Sequence, residues 1–284
     1  MGNLKERIKE VLINLILGAF KILPDKYLIP LISRLSITRQ MDYTRHSIYI
    51  RINSLAEYKL RLRSCQKEPW TVEWIEKFIK PGEVMYDIGA NVGAYSLIAA
   101  KATNGKAKIF AFEPAFSNYS ALCHNVILNN CQESIIPLPI ALSSKTKMAQ
   151  FNYSDITSGK ALHRIGESVY YTGEHFKPAY KQSILSYRLD DLIEEFNLPT
   201  PNHMKIDVDG TELDVLLGAE KITASSKLST ALLEIIEDNK GEYEEVIKLF
   251  NSKGFNLHSK NTPTKKDGTK QPFSYYLFVR KRNE

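Results

Sequence analysis

The stretch Tyr86-Asp87-Ile88-Gly89-Ala90-Asn91-Val92-Gly93 decides the fold. It closes the apolar run Val84-Met85-Tyr86-Asp87-Ile88 and opens a helical pattern that reaches about Ala102, so it reads as strand, glycine turn and helix. Gly89 lets the backbone turn sharply and come close to a ligand, and Gly93 lets the helix pack on the sheet. Asn91 suits a strained turn conformation and a helix cap. This is not the dinucleotide fingerprint, because Asn91 stands where a second glycine would admit a pyrophosphate. Asp87, at the strand end, would repel phosphate and welcome a cation.

Working outward, the same strand–helix rhythm recurs. A second strand, Lys108-Ile109-Phe110-Ala111-Phe112, leads to a helix over about 117–130, and a third strand lies at about 134–140. An extended piece near 184–187 precedes a short helix with Leu189, Leu192, Ile193 and Phe196 at helical spacing. Strand 203–208 is followed by a helix opened by Thr211-Glu212-Leu213-Asp214, a capping-box pattern with Asp for Glu, and Gly218 closes it. Strand 230–236, a helix with Tyr243, Val246, Ile247 and Phe250 on one face, and strands near 255–258 and 274–280 complete the series. The pattern predicts an α/β fold, a mainly parallel sheet with helices on both faces. Upstream, a helix is expected over 70–80. A hairpin is expected from the Ile48, Ile50, Ile52 and Leu60, Leu62 runs around Asn53-Ser54. Residues 141–183 break the rhythm near the carboxyl edge of the sheet and read as a substrate-facing cap.

Two further segments carry chemistry. Phe110-Ala111-Phe112-Glu113-Pro114 puts Glu113 twenty residues after Gly93, where a carboxylate accepts two hydrogen bonds from a ribose diol. NAD and S-adenosylmethionine share that diol. Asp87 and Asn91 favour S-adenosylmethionine, which carries a sulfonium and no phosphate. In His203-Met204-Lys205-Ile206-Asp207-Val208-Asp209-Gly210, three charged residues alternate on an apolar strand, costly unless paired or functional. Asp207 points into the same crevice as Asp87. Lys205 either pairs with a nearby carboxylate or acts in the reaction.

These segments, together with Ala141-Leu142-Ser143 and Thr211-Glu212-Leu213, resemble the FkbM-type S-adenosylmethionine-dependent methyltransferases over about residues 68–240. The resemblance implies a class I methyltransferase, with a Rossmann-like seven-stranded sheet whose final strand is reversed. It implies O-methylation of a hydroxyl on a sugar, glycan or secondary metabolite. On the matching positions, Asp87, Gly89, Ala90, Asn91 and Gly93 would line the methionine and sulfonium end of the cofactor. Glu113 would hold its ribose, and Ala141 stands in the third cofactor motif. Asp209 replaces the family's more usual Glu, and Thr211 its frequent Ala. The expected organisation is an N-terminal helix-and-hairpin extension, 1–65, and a cofactor-binding domain, 66–284, with an insertion at 144–183.

Methyl transfer needs positioning and a base for the acceptor hydroxyl. Asp207 is the first candidate, followed by Glu234 at the end of strand 230–236, with Lys205 among the catalytic set and His163 or His175 as loop alternatives. Asp207 with Asp238-Asn239 also resembles a magnesium-binding arrangement of some O-methyltransferases, but no metal is assigned.

A dehydrogenase would need a second glycine and usually a Tyr-x-x-x-Lys pair, and no tyrosine has lysine four residues on. An N-methyltransferase usually carries an Asn/Asp-Pro-Pro-Tyr motif where this chain has Asp207-Val208-Asp209-Gly210. The alternative class is a non-catalytic relative of the fold that binds a membrane or partner. It predicts decay at Asp87, Gly89 or Glu113, and all three are intact.

Charge is uneven. Residues 1–63 hold 12 Lys/Arg and 5 Asp/Glu, a balance of +7; residues 253–284 hold 8 and 2, giving +6; the middle holds 18 and 25, giving −7. The acidic middle argues against a nucleic-acid groove. Three cysteines without a CxxC pair fit reduced thiols in the cytoplasm. The apolar run 11–20 is too short to span a bilayer and lacks a good cleavage site. It reads as an amphipathic helix with Leu4, Ile8, Val11, Leu12 and Leu15 on one stripe, docked on its own domain or lying on the inner membrane face.

Overall fold

The computed structural model describes residues 2–170, 172–237, 240–265 and 267–281. It divides into two compact units, Met1–Ile37 and Thr38–Glu284. The first holds α1 (Gly2–Ile22) and α2 (Asp25–Arg34). Ile8, Val11, Leu12 and Leu15 lie together beside Arg7, and among the described residues no helix is long and apolar enough to cross a membrane.

Next come β1 (Ile37–Gln40), β2 (Tyr49–Ile52), a π-helical turn (Glu57–Arg61), α3 (Ser64–Lys67) and α4 (Pro69–Phe78). The alternating core follows: β3 (Val84–Ile88), α5 (Ala94–Ala102), β4 (Lys108–Phe112), α6 (Phe116–Leu128) and β5 (Ile135–Leu138). The insertion supplies β6 (Ala141–Leu142), β7 (Lys147–Tyr153), β8 (Arg164–Ile165) and β9 (Tyr180–Tyr187). The chain continues through α7 (Leu189–Phe196), β10 (His203–Ile206), α8 (Glu212–Leu217), α9 (Glu220–Ala224) and β11 (Thr230–Ile236), and ends in α10 (Lys240–Ser252), β12 (Phe255–Asn261) and β13 (Phe273–Arg280).

Seven strands form one sheet in the order β12-β13-β11-β10-β3-β4-β5. The five from β11 to β5 are parallel, and β13 runs antiparallel between β11 and β12. This is the class I architecture with its reversed last strand. Side chains alternate across the sheet as a period of two requires. Met85, Ala111 and Leu232 pack with Trp74, Leu97 and Leu122 of α4–α6. Tyr86, Phe110, Met204 and Leu233 pack with Leu192, Val215 and Val246 of α7, α8 and α10.

Residues 141–187 form a separate four-stranded sheet, ordered β6-β9-β7-β8, whose buried side holds Phe151, Tyr153 and Ile184.

Three local expectations are corrected. The hairpin over 48–62 does not form, because β2 pairs with β1 and residues 57–61 are helical. The cause is a capping box. Ser54 Oγ accepts the Glu57 N–H at 3.0 Å while the Glu57 carboxylate accepts the Ser54 N–H at 3.0 Å. Second, residues 38–65 belong with the large unit rather than with an extension 1–65. Ile48 and Ile50 are fully buried, and the N–H groups of Tyr49 and Arg51 donate to Asn129 and to Asn125 of α6. Third, the side chains expected to cap α5 and α8 do other work. Gly93 is the N-cap of α5, Thr211 Oγ donates back to the Val208 carbonyl, and Glu212 accepts the N–H groups of Val208 and Gly210.

Candidate active site

The glycine turn after β3 is stitched between its neighbours. The N–H groups of Gly89 and Ala90 both donate to the Phe112 carbonyl at the end of β4, at 3.0 and 2.9 Å, and the Asp207 N–H after β10 donates to the Ile88 carbonyl. Gly89 has φ +82°, and a Cβ there would run into the Asp207 carbonyl oxygen. Only glycine fits this crossing of two backbones.

Above it opens a cavity of about 300 Å³, walled in part by Gly89, Asn91, Glu113, Ala141, Asp207 and Glu234. Six of the ten sequence-selected residues thus meet on one surface at the carboxyl ends of adjacent strands. Glu113 is fixed from behind: its two oxygens accept the N–H groups of Asn91 and Ala115, each at 2.8 Å. Burial pushes its carboxyl up to about 7 against the pull of those donors. Asn91 has φ +51°, and its side-chain amide donates to the Lys160 carbonyl rather than capping the helix.

Asp87, Ala90, Gly93 and Lys205 are not part of the cavity wall. Asp87 is 1% exposed; one carboxyl oxygen accepts from Ser96 at 2.6 Å, and the other is buried with no hydrogen-bond partner among the described residues. Gly93 abuts Leu122 of α6. Lys205, expected among the catalytic groups, sits behind the wall. It is opposite Asp87 in the β10–β3 register, donates to Asp207 Oδ2 at 2.7 Å and lies 5.1 Å from the centre of the Tyr95 ring. Its access to the cavity is through Asp207.

Two carboxyls of the cavity wall are driven in opposite directions. Asp207 and Glu234 follow the paired residues Ile206 and Leu233 by one position on adjacent strands. Burial works against the Asp207 charge, but the Lys205 ammonium, helped by Lys67 and Arg61, brings its carboxyl below the ordinary range. Burial and the neighbouring Asp207 charge hold Glu234 well above it. The surroundings thus favour the charged form of Asp207 and the protonated form of Glu234. Asp209, raised to about 6 by burial and by Asp207, has φ +58° and holds the insertion. Its carboxylate accepts the Leu162 N–H and its carbonyl accepts from Arg164, both at 2.6 Å.

Sequence reasoning missed Arg61, Lys160 and Phe273 on the cavity wall. Arg61 donates twice to the Gly159 carbonyl, at 3.1 and 2.8 Å, and Asn118 binds Gly159 and Lys160. These contacts span about 40 to 100 positions of chain, and no local pattern announces them. Of the two loop histidines, His163 lines the cavity, whereas His175 forms an isolated bridge with Val169 away from it. Asp238 and Asn239 lie outside the described residues. Among the described residues no cluster of His, Cys, Asp or Glu is arranged to hold a metal ion.

A family model for the methyltransferase FkbM domain matches residues 87–257. The chain is 28% identical to the hexuronic acid methyltransferase AglP of Haloferax volcanii, over 56% of this chain and 59% of that protein. It is 30% identical to methyltransferase sdnD of Sordaria araneosa, over 48% of this chain and 60% of that one. With the 31-O-demethyl-FK506 methyltransferase FkbM of Streptomyces tacrolimicus it shares 26% identity over 65% and 77% of the respective chains. The match thus spans about three-fifths of the length of the first two relatives.

Proposed function

This chain belongs to the FkbM methyltransferase family, and we propose that it transfers the methyl group of S-adenosylmethionine to a hydroxyl of a sugar, glycan or secondary metabolite. The reading is carried by one cavity that joins Gly89, Glu113 and Asp207 at the ends of three adjacent strands. Its residues fit the cofactor: a backbone cradle that a Cβ would fill, a buried carboxylate with lone pairs to spare for a diol, and an unpartnered Asp87 oxygen beside the cradle. When bound, S-adenosylmethionine supplies a methyl on a sulfonium, a leaving group that needs no acid. The acceptor classes are those for which relatives are named, a hexuronic acid and 31-O-demethyl-FK506 among them.

The chain's own residues then have separate tasks. Gly89 admits close backbone approach, and Glu113 accepts the ribose hydroxyls. Asp207, its charge held by Lys205, would accept the proton that the acceptor hydroxyl gives up. Glu234, whose protonated form burial and Asp207 favour, would donate to the oxygen of that hydroxyl and orient it.

Calorimetric titration with S-adenosylhomocysteine tests this reading. The expected result is micromolar binding that is lost in Glu113→Ala, with no binding of NAD. The carboxylate form is the one that accepts from a diol, and in the free protein it predominates only above about pH 7. Affinity should therefore be flat near pH 8 and weaken toward tenfold per unit below about pH 6. Failure of the wild type to bind removes the reading and favours a non-catalytic binding module.

The finer part of the proposal concerns location. The stripe Ile8, Val11, Leu12 and Leu15 beside Arg7 and Lys9, in a unit (residues 1–37) of 6 Lys/Arg and 3 Asp/Glu, a balance of +3, supports peripheral contact with the anionic cytoplasmic membrane face. The intact chain is expected to sediment with vesicles rich in anionic lipid at low salt and to be released at high salt. A chain lacking residues 1–36 should stay in solution. If the intact chain also stays in solution, the helix serves its own domain instead.

A further inference from the structure

The insertion sheet presents one side chain to the cavity whose hydrogen-bonding state follows from its neighbours. His163 is 8% exposed and lines the cavity, with its ring 5.8 Å from that of Phe151 and 5.0 Å from that of Tyr153. Its Nδ1 lies 3.4 Å from Ser154 Oγ. That hydroxyl donates its single proton to the Ala161 carbonyl at 3.0 Å, so only its lone pairs face the imidazole. Nδ1 therefore carries the ring proton, and Nε2 is a bare acceptor. Burial lowers the ring's pKa to about 4, which keeps it neutral.

This acceptor is buried and has no partner among the described residues. Buried acceptors without a donor are rare and costly, so such an orphan marks where a donor arrives.

The order of the strands says which part of a ligand that is. Strands β10, β3, β4 and β5 are consecutive neighbours. A nucleoside with its reacting end at Asp207 and Gly89, after β10 and β3, and its ribose at Glu113, after β4, continues toward the end of β5. There Ala141, which follows β5, packs with Phe151 and Ile165 of the insertion, and all three line the cavity with Ile140, apolar surfaces that suit a flat purine. His163, its ring against those of Phe151 and Tyr153, adds an acceptor to that apolar setting. Adenine has one exocyclic donor, its 6-amino group.

We propose that His163 reads the base of the cofactor: Nε2 accepts from the adenine 6-amino group, so the insertion selects an adenine nucleoside against a 6-oxo purine. The assignment rests on the cofactor reading above and adds a residue that lies outside the motifs.

The test compares S-adenosylhomocysteine with S-inosylhomocysteine, which carries a carbonyl oxygen at the same ring position, by calorimetric titration. The wild type should prefer the adenosyl ligand by about tenfold or more, since the carbonyl would set one acceptor against another. His163→Phe, which keeps an aromatic ring beside Phe151 and Tyr153, should bind the two ligands equally and the adenosyl ligand about tenfold more weakly than the wild type does. His163→Gln, with an amide oxygen in place of Nε2, should recover part of the preference. Equal affinity of the wild type for both ligands, or an undiminished preference in His163→Phe, overturns the assignment and leaves the cofactor reading standing. If the wild type binds neither ligand, both fall.

Discussion

Gly89→Ala is expected to abolish S-adenosylhomocysteine binding and to lower the thermal midpoint by about 10 °C. Two costs combine. The residue sits at φ +82°, where an L side chain is strained, and the added Cβ would run into the Asp207 carbonyl oxygen, which is backbone and cannot swing aside. Together these amount to roughly 3–5 kcal/mol. The damage is also local to function, because relief of the clash pushes β3 away from β10. That separates the turn from Asp207 and breaks the Asp207 N–H bond to Ile88. Gly93→Ala is the control. Its backbone is equally left-handed, at φ +85°, but the added Cβ meets the end of the Leu122 side chain, which can rotate. It should lose stability yet keep cofactor binding. Unchanged affinity in Gly89→Ala would sink the proposed cradle.

The main sheet could be read in advance because each strand is a short apolar run bounded by a turn residue. Strands β3, β4 and β11 begin and end where the pattern places them. Glu113 and Asp207 were legible for the same reason: a carboxylate just past a buried strand has little to do there except face the crevice, and Glu234, two residues before the end of β11, stands out as the one charge in an apolar strand. What failed was decided by local competition or by distance. Leu60 and Leu62 alternate like a strand, but the Ser54–Glu57 capping box wins over the alternation. Asn91 and Thr211 are good capping residues that found other partners, Lys160 and Val208. The strands of the insertion are polar on one side and carry few β-branched residues, so their periodicity is faint. Arg61 reaches the site only because the π-helical turn aims it at Gly159, some hundred residues away.

Lys205 is where the strand's odd alternation of charge has its largest consequence, and Lys205→Met is the sharpest test of it. The ammonium is 2% exposed and serves two carboxyls: Asp207 at 2.7 Å, and Asp87 directly across the β10–β3 ladder. Removing it takes away the cation bonded to Asp207 and facing Asp87 and leaves Asp207 only the more distant help of Lys67 and Arg61, a loss of about 3–5 kcal/mol at neutral pH. The sign of the pH dependence follows from Asp207. In the wild type its folded pKa is depressed, so its contribution to stability is present above the unfolded value and lost as pH falls through the folded one. In the variant that pKa rises, and the stability deficit should be widest at neutral pH and narrow below about pH 4. Denaturant unfolding of both proteins at pH 7 and near pH 4 measures it. Catalysis should separate from binding in the same variant. In the proposed site S-adenosylhomocysteine is held by Glu113 and Gly89 and should still bind, while kcat is expected to fall by about a hundredfold or more as Asp207 becomes protonated and no longer accepts the hydroxyl proton. A loss of kcat that is recovered by raising the pH marks Lys205 as a positioning residue acting through Asp207. A loss that no pH recovers means that the lysine itself touches the reacting atoms, and the buried arrangement at the end of β10 does not describe the working enzyme.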